Sequence, residues 1–304
     1  MEVRLLVETI LGFVALVGVG ALLRRFRVVT HDDARPINAI IVYAGLPALV
    51  FQAVHGAAVG SEILLIAGIA WAIFLLSAAA AWVVSRALSL ERHVAGGFII
   101  ASALGNTGFI GYPLSEALLG EAGLVRAVFY DVFGTVGALV LMGLFIAEYY
   151  GAPGDRRVNP FREVLTFPAV LAVVVALALR AVAVPELISD WIELLANLVV
   201  PLIMISVGLS LRPRALREFA LPLVALTAIR LLIAPLAAIV LGSALLPDRE
   251  ALRVVVLEAG TPAMMLTLVI GSRFRLNTDF IAAAILVTTV ASAITIPLVQ
   301  LLIA

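Results

Sequence analysis

The 304-residue chain contains no cysteine, and all twenty of its basic side chains are arginine, so lysine is absent as well. Without cysteine there is no disulfide, no thiolate metal site and no cysteine nucleophile. Without lysine there is no Schiff-base chemistry and no Walker-type loop, whose lysine reaches the nucleotide phosphates. Charge is scarce too. Only 13% of residues are charged, against about 25% in soluble chains, and the twenty acidic residues balance the twenty basic ones. That balance leaves neither a basic footprint nor an acidic tail, and no nucleic-acid partner is expected.

What fills the chain instead is apolar: 63% of residues are hydrophobic and the mean hydropathy is +1.18. Soluble chains are about 45–50% apolar even with glycine counted, so the excess must face lipid. The sequence therefore predicts an all-α integral membrane protein. A helix needs about 20 apolar residues to cross the hydrocarbon, and breaks at charged residues, proline and glycine leave ten such stretches. They lie near 4–23, 36–54, 62–84, 93–118, 122–148, 161–183, 187–211, 216–244, 250–271 and 278–303. Runs such as Ala67 to Val84 are continuously apolar, whereas the strands of a membrane barrel alternate. The first stretch has no basic cluster before it and no clean small-x-small cleavage site after it, so it reads as a span and not as a signal peptide.

Fourteen of the twenty arginines fall in the first, third, fifth, seventh and ninth connections, and five on the other side. By the positive-inside rule, both termini of this multi-pass cell-membrane protein lie outside the cytoplasm. The chain also repeats itself. Leu46-Pro47-Ala48-Leu49 is matched by Val200-Pro201-Leu202-Ile203, and Gly105-Asn106-Thr107 by Gly260-Thr261-Pro262, at offsets of 154 and 155 residues. Two pairs at nearly one offset predict a duplicated five-helix unit, residues 1–150 and 151–304. Five is odd, so the two repeats are inverted in the membrane, an arrangement typical of secondary transporters.

Two of the ten helices should be broken. The fourth contains Leu104-Gly105-Asn106-Thr107-Gly108, a poor continuous helix because each interior glycine costs about 1 kcal/mol. Asn106 or Thr107 is a candidate cap for a new half-helix there. The ninth contains Glu258-Ala259-Gly260-Thr261-Pro262, where Thr261 is a candidate N-cap and Pro262 suits a first helical turn. A half-helix that starts at mid-membrane offers free N–H groups to an anion. The half that ends there offers carbonyls to a cation. Pro47 and Pro201 mark further expected breaks.

Charged groups within spans are costly and point to function. Asp131, Arg230 and Glu258 lie near mid-depth in the fifth, eighth and ninth stretches. Glu258, with Asn106 and the carbonyls around Gly105 and Gly260, is the expected receiver of a coupling cation, either Na⁺ or H⁺, with Asp131 nearby. No other cofactor is expected. Arg230 either attracts an anionic substrate or neutralises Asp131. Thr288, Thr289, Ser292 and Thr295 form a helical stripe read mainly as interhelical packing. Two other classes remain: a channel, and an intramembrane enzyme in which Tyr130-Asp131 supplies half of an aspartyl dyad with Glu258. No zinc-protease His-Glu-x-x-His sequence occurs.

The segments Ser102 to Leu114 and Asn197 to Leu209, with the Thr261-Pro262 break, resemble the auxin efflux carrier family in its short prokaryotic form, and the resemblance covers the whole chain. It implies a bile-acid-transporter-like fold in which helices 4 and 9 cross at mid-membrane. Spans 1, 2, 6 and 7 form a scaffold, and spans 3–5 and 8–10 a moving transport domain. Family substrates are small carboxylates such as auxin, malate or malonate, and members are often homodimers in the lipid membrane. Asn106 and Pro262 match the family's crossover residues. The chain departs from the plant pattern at Gly105, where a proline is usual, and at Glu258, which is closer to sodium-coupled bile-acid relatives. Asn106, Thr107, Thr261, Pro262 and Arg230 are the expected substrate-binding residues.

Overall fold

The helices begin and end where the sequence's charges and capping residues allow. In the computed structural model, Glu62–Ala87 carries Glu62 in its first turn and Arg86 in its last, each complementing the helix dipole. At 1.5 Å per residue its 26 residues span about 39 Å, enough to cross a bilayer. The structure describes residues 2–30, 33–55, 62–151, 166–210, 216–246 and 248–303. Among these there is no strand, only one isolated antiparallel bridge between Gly105 and Ala263.

In chain order the helices are α1 (Glu2–Arg25), α2 (Ala34–Ile40), α3 (Leu46–His55), α4 (Glu62–Ala87), α5 (Arg92–Ala103), α6 (Tyr112–Phe129) and α7 (Leu144–Tyr150). Then come α8 (Pro168–Ala178), α9 (Glu186–Asn197), α10 (Val199–Ser210), α11 (Ala220–Ala228), α12 (Ala234–Leu245), α13 (Arg249–Ala259), α14 (Leu266–Arg273) and α15 (Thr278–Leu302). Wider π turns join α2 to α3 and α11 to α12, and precede and follow α6. Six described runs are long and apolar enough to cross a membrane: Pro36–His55, Glu62–Ala87, Thr107–Tyr150, Glu186–Ser206, Ala220–Leu245 and Thr278–Leu302. This is a multi-pass membrane architecture.

The 44-residue run Thr107–Tyr150 is twice the length of one crossing. It is divided at Gly120, whose φ of +69° is left-handed and suits a residue without a Cβ. The turn falls between the stretches expected to end at 118 and begin at 122. By contrast, Pro47 does not break its helix: it lacks the N–H that a helix interior needs, yet the chain stays helical on to His55. Beside Pro201 the chain does divide, α9 ending at Asn197 and α10 starting at Val199 with Pro201 in its first turn, where a missing N–H costs little. At Pro47 the adjustment is the preceding π turn, Ile41–Gly45.

Packing is closest between α1 and α10. A Cβ at Gly20 would overlap the carbonyl of Ile205, and one at Gly208 the carbonyl of Val17. Small residues that let backbones approach are the usual means of joining helices in lipid. The buried core is otherwise aliphatic and aromatic, and runs from Val50 and Phe74 through Phe98 and Tyr112 to Phe280. Within it α5, α6, α13 and α14 place their ends together.

Candidate functional site

Helix α5 stops at Ala103 and α13 at Ala259, and after each the chain is extended for several residues before turning helical again. The two extended pieces pair. The amide of Asn106 donates to the carbonyl of Pro262 at 2.7 Å, and that of Met264 donates to the carbonyl of Leu104 at 3.0 Å. A third amide, that of Ala263, donates to the Thr288 hydroxyl at 3.0 Å, and this hydroxyl in turn donates to the carbonyl of Ala284 at 2.7 Å. A helix broken inside a buried core leaves backbone groups that must be satisfied. Here each break satisfies the other.

The carbonyl ends of both half-helices converge on Arg230, which sits on the π turn Ile229–Ile233. Its Nε donates to the carbonyl of Thr261 at 2.9 Å and its Nη1 to that of Ala103 at 3.1 Å, and its Nη2 donates to that of Ala259. All three partners are backbone carbonyls, and among the described residues no ion pair joins Arg230 to Asp131. The expected neutralisation of Asp131 is therefore replaced by something else: two helix C-termini, each carrying a partial negative charge, hold the guanidinium.

Asp131 has its own partners. Thr107 donates its hydroxyl to Oδ1, and Tyr112 donates to Oδ2 at 2.7 Å. Glu258, in the last turn of α13, accepts from the Ser115 hydroxyl at 2.9 Å through Oε1, while Oε2 has no partner. Its carboxylate lies where a side chain on residue 111 would be, so that position is glycine: a Cβ there would overlap the carboxylate. Asn106 likewise keeps its side-chain Nδ2 unpartnered. Glu258, Arg230, Asn106 and Asp131 are 0%, 2%, 3% and 4% exposed, so the site is closed. Beside Arg230 is a cavity of about 10 Å³, lined in part by Gly105, Thr107, Tyr130 and Thr135, room for about one water.

After the first break the amides of Thr107, Gly108 and Phe109 open a helical turn and have no acceptor among the described residues. These are the free donors expected at a half-helix start. The second break differs from expectation. Thr261 does not cap the next helix, which starts only at Leu266. Its hydroxyl turns back to the carbonyl of Glu258 at 2.7 Å, and Pro262 lies in the extended piece, not in a first helical turn.

Among the described residues no hydrogen bond joins Glu258 to Asn106; Arg230 takes the carbonyls of Ala103, Ala259 and Thr261, and the opposing extended segments take those of Leu104 and Pro262. A groove of about 500 Å³ between α11 and α15 is mostly apolar, lined by Leu223, Val224 and Val287 with Thr227 and Thr295, and has no charged group to orient an anion.

A buried, polar crossing of two broken helices in a multi-pass protein is the frame of a transporter. Residues 5–160 and 157–300 match the family described as membrane transport protein. The chain belongs to that family. It is the one expected from the Gly-Asn-Thr-Gly segment, and it marks a membrane transporter and not an enzyme. An uncharacterised transporter of Methanothermobacter thermautotrophicus is 32% identical over 294 residues, 96% of each chain. One of Methanocaldococcus jannaschii is 30% identical over 303 residues, again 96% of each. A Rhizobium meliloti protein named "Putative malonate transporter" is 26% identical over 300 residues, 94% of this chain and 92% of its own.

Within this transporter the crossing brings together Gly105, Asn106, Thr107, Gly108, Asp131, Arg230, Glu258, Thr261 and Pro262. Pro47 and Pro201 take no part in its hydrogen bonds. Tyr112 and Ser115 were missed by sequence reasoning as site residues, whereas Thr288, read as interhelical packing, makes an interhelical bond to the Ala263 amide. Gly108, Gly111 and Ser115 recur at helical spacing, a small-residue face on which two buried carboxylates rest, and that pattern is the signal for Ser115. Tyr112 carries no such signal.

Proposed function

We propose that the protein is a secondary active transporter that moves a small organic carboxylate across the cell membrane by alternating access. In this reading the chain has ten spans in two inverted repeats, 1–150 and 151–304, with spans 4 and 9 broken and crossing. Spans 1, 2, 6 and 7 stand as scaffold, and spans 3–5 and 8–10 move as the transport domain. The observation that carries the reading is the pairing of the two breaks through Asn106 and Pro262 beside free helix-start amides. Those amides, with the Asn106 Nδ2, are donors suited to a carboxylate. The relative named for malonate favours a small dicarboxylate. A cavity of about 10 Å³ holds no such substrate, so the crossing must open toward each side in turn.

Coupling, in this reading, is to a proton at Glu258, the carboxylate with an unfilled acceptor. Both termini lie outside the cytoplasm in this reading, which the arginine distribution supports. The protein works as a homodimer in lipid: α9 exposes Leu187, Ile188, Trp191 and Leu194 alongside Asp190 and Glu193, an acidic and apolar surface better covered by a second copy than by acyl chains.

The test is thermal stability of the purified protein against a panel of mono- and dicarboxylates and indole acids. A ligand at about 100 times its Kd adds about 2.7 kcal/mol. Saturable stabilisation by one acid class supports the reading, and a folded protein indifferent to every acid removes it.

A further inference from the structure

Three backbone carbonyls from two half-helices, Ala103 at the end of α5 and Ala259 and Thr261 at the end of α13, converge on one point. Convergent carbonyls at two helix C-termini are a cation site by composition and by dipole. The cation standing there belongs to the chain. We infer that Arg230 is a resident cation, filling by covalent attachment the site at which a free monovalent cation would otherwise stabilise the crossing, so that the protein binds and works without Na⁺. This goes beyond the carboxylate-carrier reading and does not depend on which substrate is carried.

The side-chain chemistry suits the role. A guanidinium spreads its charge over a planar fork and is weakly hydrated, so it enters a buried site at less cost than an ammonium and reaches three acceptors at once. Arg230 uses Nε, Nη1 and Nη2 on three different carbonyls. Room is made for it at Gly105, where a Cβ would come within 2.5 Å of the Thr261 hydroxyl and 2.9 Å of the Arg230 Nη2. Glycine at 105 and arginine at 230 are therefore one arrangement. Three of the guanidinium's five N–H donors are thus committed to backbone.

The experiment uses the purified full chain in detergent, with no carboxylate present, in N-methylglucamine chloride at constant ionic strength. NaCl or millimolar guanidinium chloride, far below denaturing levels, replaces part of the background. The wild-type Tm is expected to be flat in Na⁺. Arg230→Ala is expected to lower the Tm by at least about 5 °C, since several charge-assisted hydrogen bonds are lost, and to regain part of it saturably with guanidinium or Na⁺. Saturable stabilisation of wild type by Na⁺ would overturn the inference, as would an Arg230→Ala protein indifferent to both cations. Should the alanine variant not fold, Arg230→Lys serves: a lower Tm that stays flat in Na⁺ is expected, and a saturable Na⁺ response overturns the inference. Failure here leaves the carboxylate panel untouched, so the two readings fall separately.

Discussion

Asn106 and Pro262, 156 positions apart, are joined by a 2.7 Å hydrogen bond from the amide of one to the carbonyl of the other. With the reciprocal bond from Met264 to Leu104, it ties the break in one half of the chain to the break in the other. The two crossing segments are thus held to each other, with Arg230 across their carbonyl ends and Thr288 bonded to Ala263. An element that must carry a substrate between two sides benefits from that rigidity, because the donors stay in register while the surroundings change.

This bond uses the backbone of Asn106, its side-chain Nδ2 has no partner among the described residues, and in the proposed reading that group meets the substrate. Asn106→Ala is expected to leave the Tm within a few degrees of wild type and to weaken carboxylate binding about tenfold or more, the value of one hydrogen bond to a charged group. Wild-type affinity, read by titration calorimetry, would remove Asn106 from the binding role.

Glu258→Gln keeps shape and the Ser115 contact while abolishing titration. Transport by this variant is expected to lose its dependence on a pH gradient while exchange of substrate for substrate persists. Proteoliposome uptake with and without an imposed gradient reads both. A gradient response equal to wild type assigns coupling elsewhere.

Gly111→Ala places a methyl group where the Glu258 carboxylate sits. Overpacking of this kind costs about 1–3 kcal/mol, so the Tm falls. The loss should largely vanish in the Glu258→Ala background, which empties the space, and a double-mutant cycle on Tm measures this coupling. Additive effects would mean that the two residues do not touch.

Thr288→Val removes the acceptor of the Ala263 amide and leaves a buried donor unsatisfied, at about 1–3 kcal/mol. Thr288→Ser retains the hydroxyl and is expected to stay closer to wild type in Tm. Equal destabilisation by both would mean that the hydroxyl is not what sets the cost.

Membrane class, the all-helical character and the two broken segments were legible because composition and the Gly-Asn-Thr-Gly and Gly-Thr-Pro sequences report local chemistry. Glu258, Asp131 and Arg230 stood out because a charge in an apolar run has few innocent explanations. Their partners did not. That Arg230 turns to Ala103, Ala259 and Thr261 and not to Asp131 depends on tertiary approach of π turn Ile229–Ile233 to two helix ends, which no spacing along the chain encodes. Thr261 misled for a related reason: Thr-Pro is a good helix start in isolation, but pairing of Pro262 and Ala263 with the opposite segment delays the next helix to Leu266. Pro47 was over-read, since the neighbouring turn Ile41–Gly45 absorbs its missing N–H by local widening.

The most direct measurement is counterflow in proteoliposomes loaded with unlabelled malonate and diluted into trace labelled malonate. A carrier that alternates access accumulates label transiently above its equilibrium level, and the initial rate saturates with substrate. That overshoot is the result this account predicts. Entry of label that never exceeds equilibrium, with a rate linear in concentration, would contradict alternating access and indicate a pore.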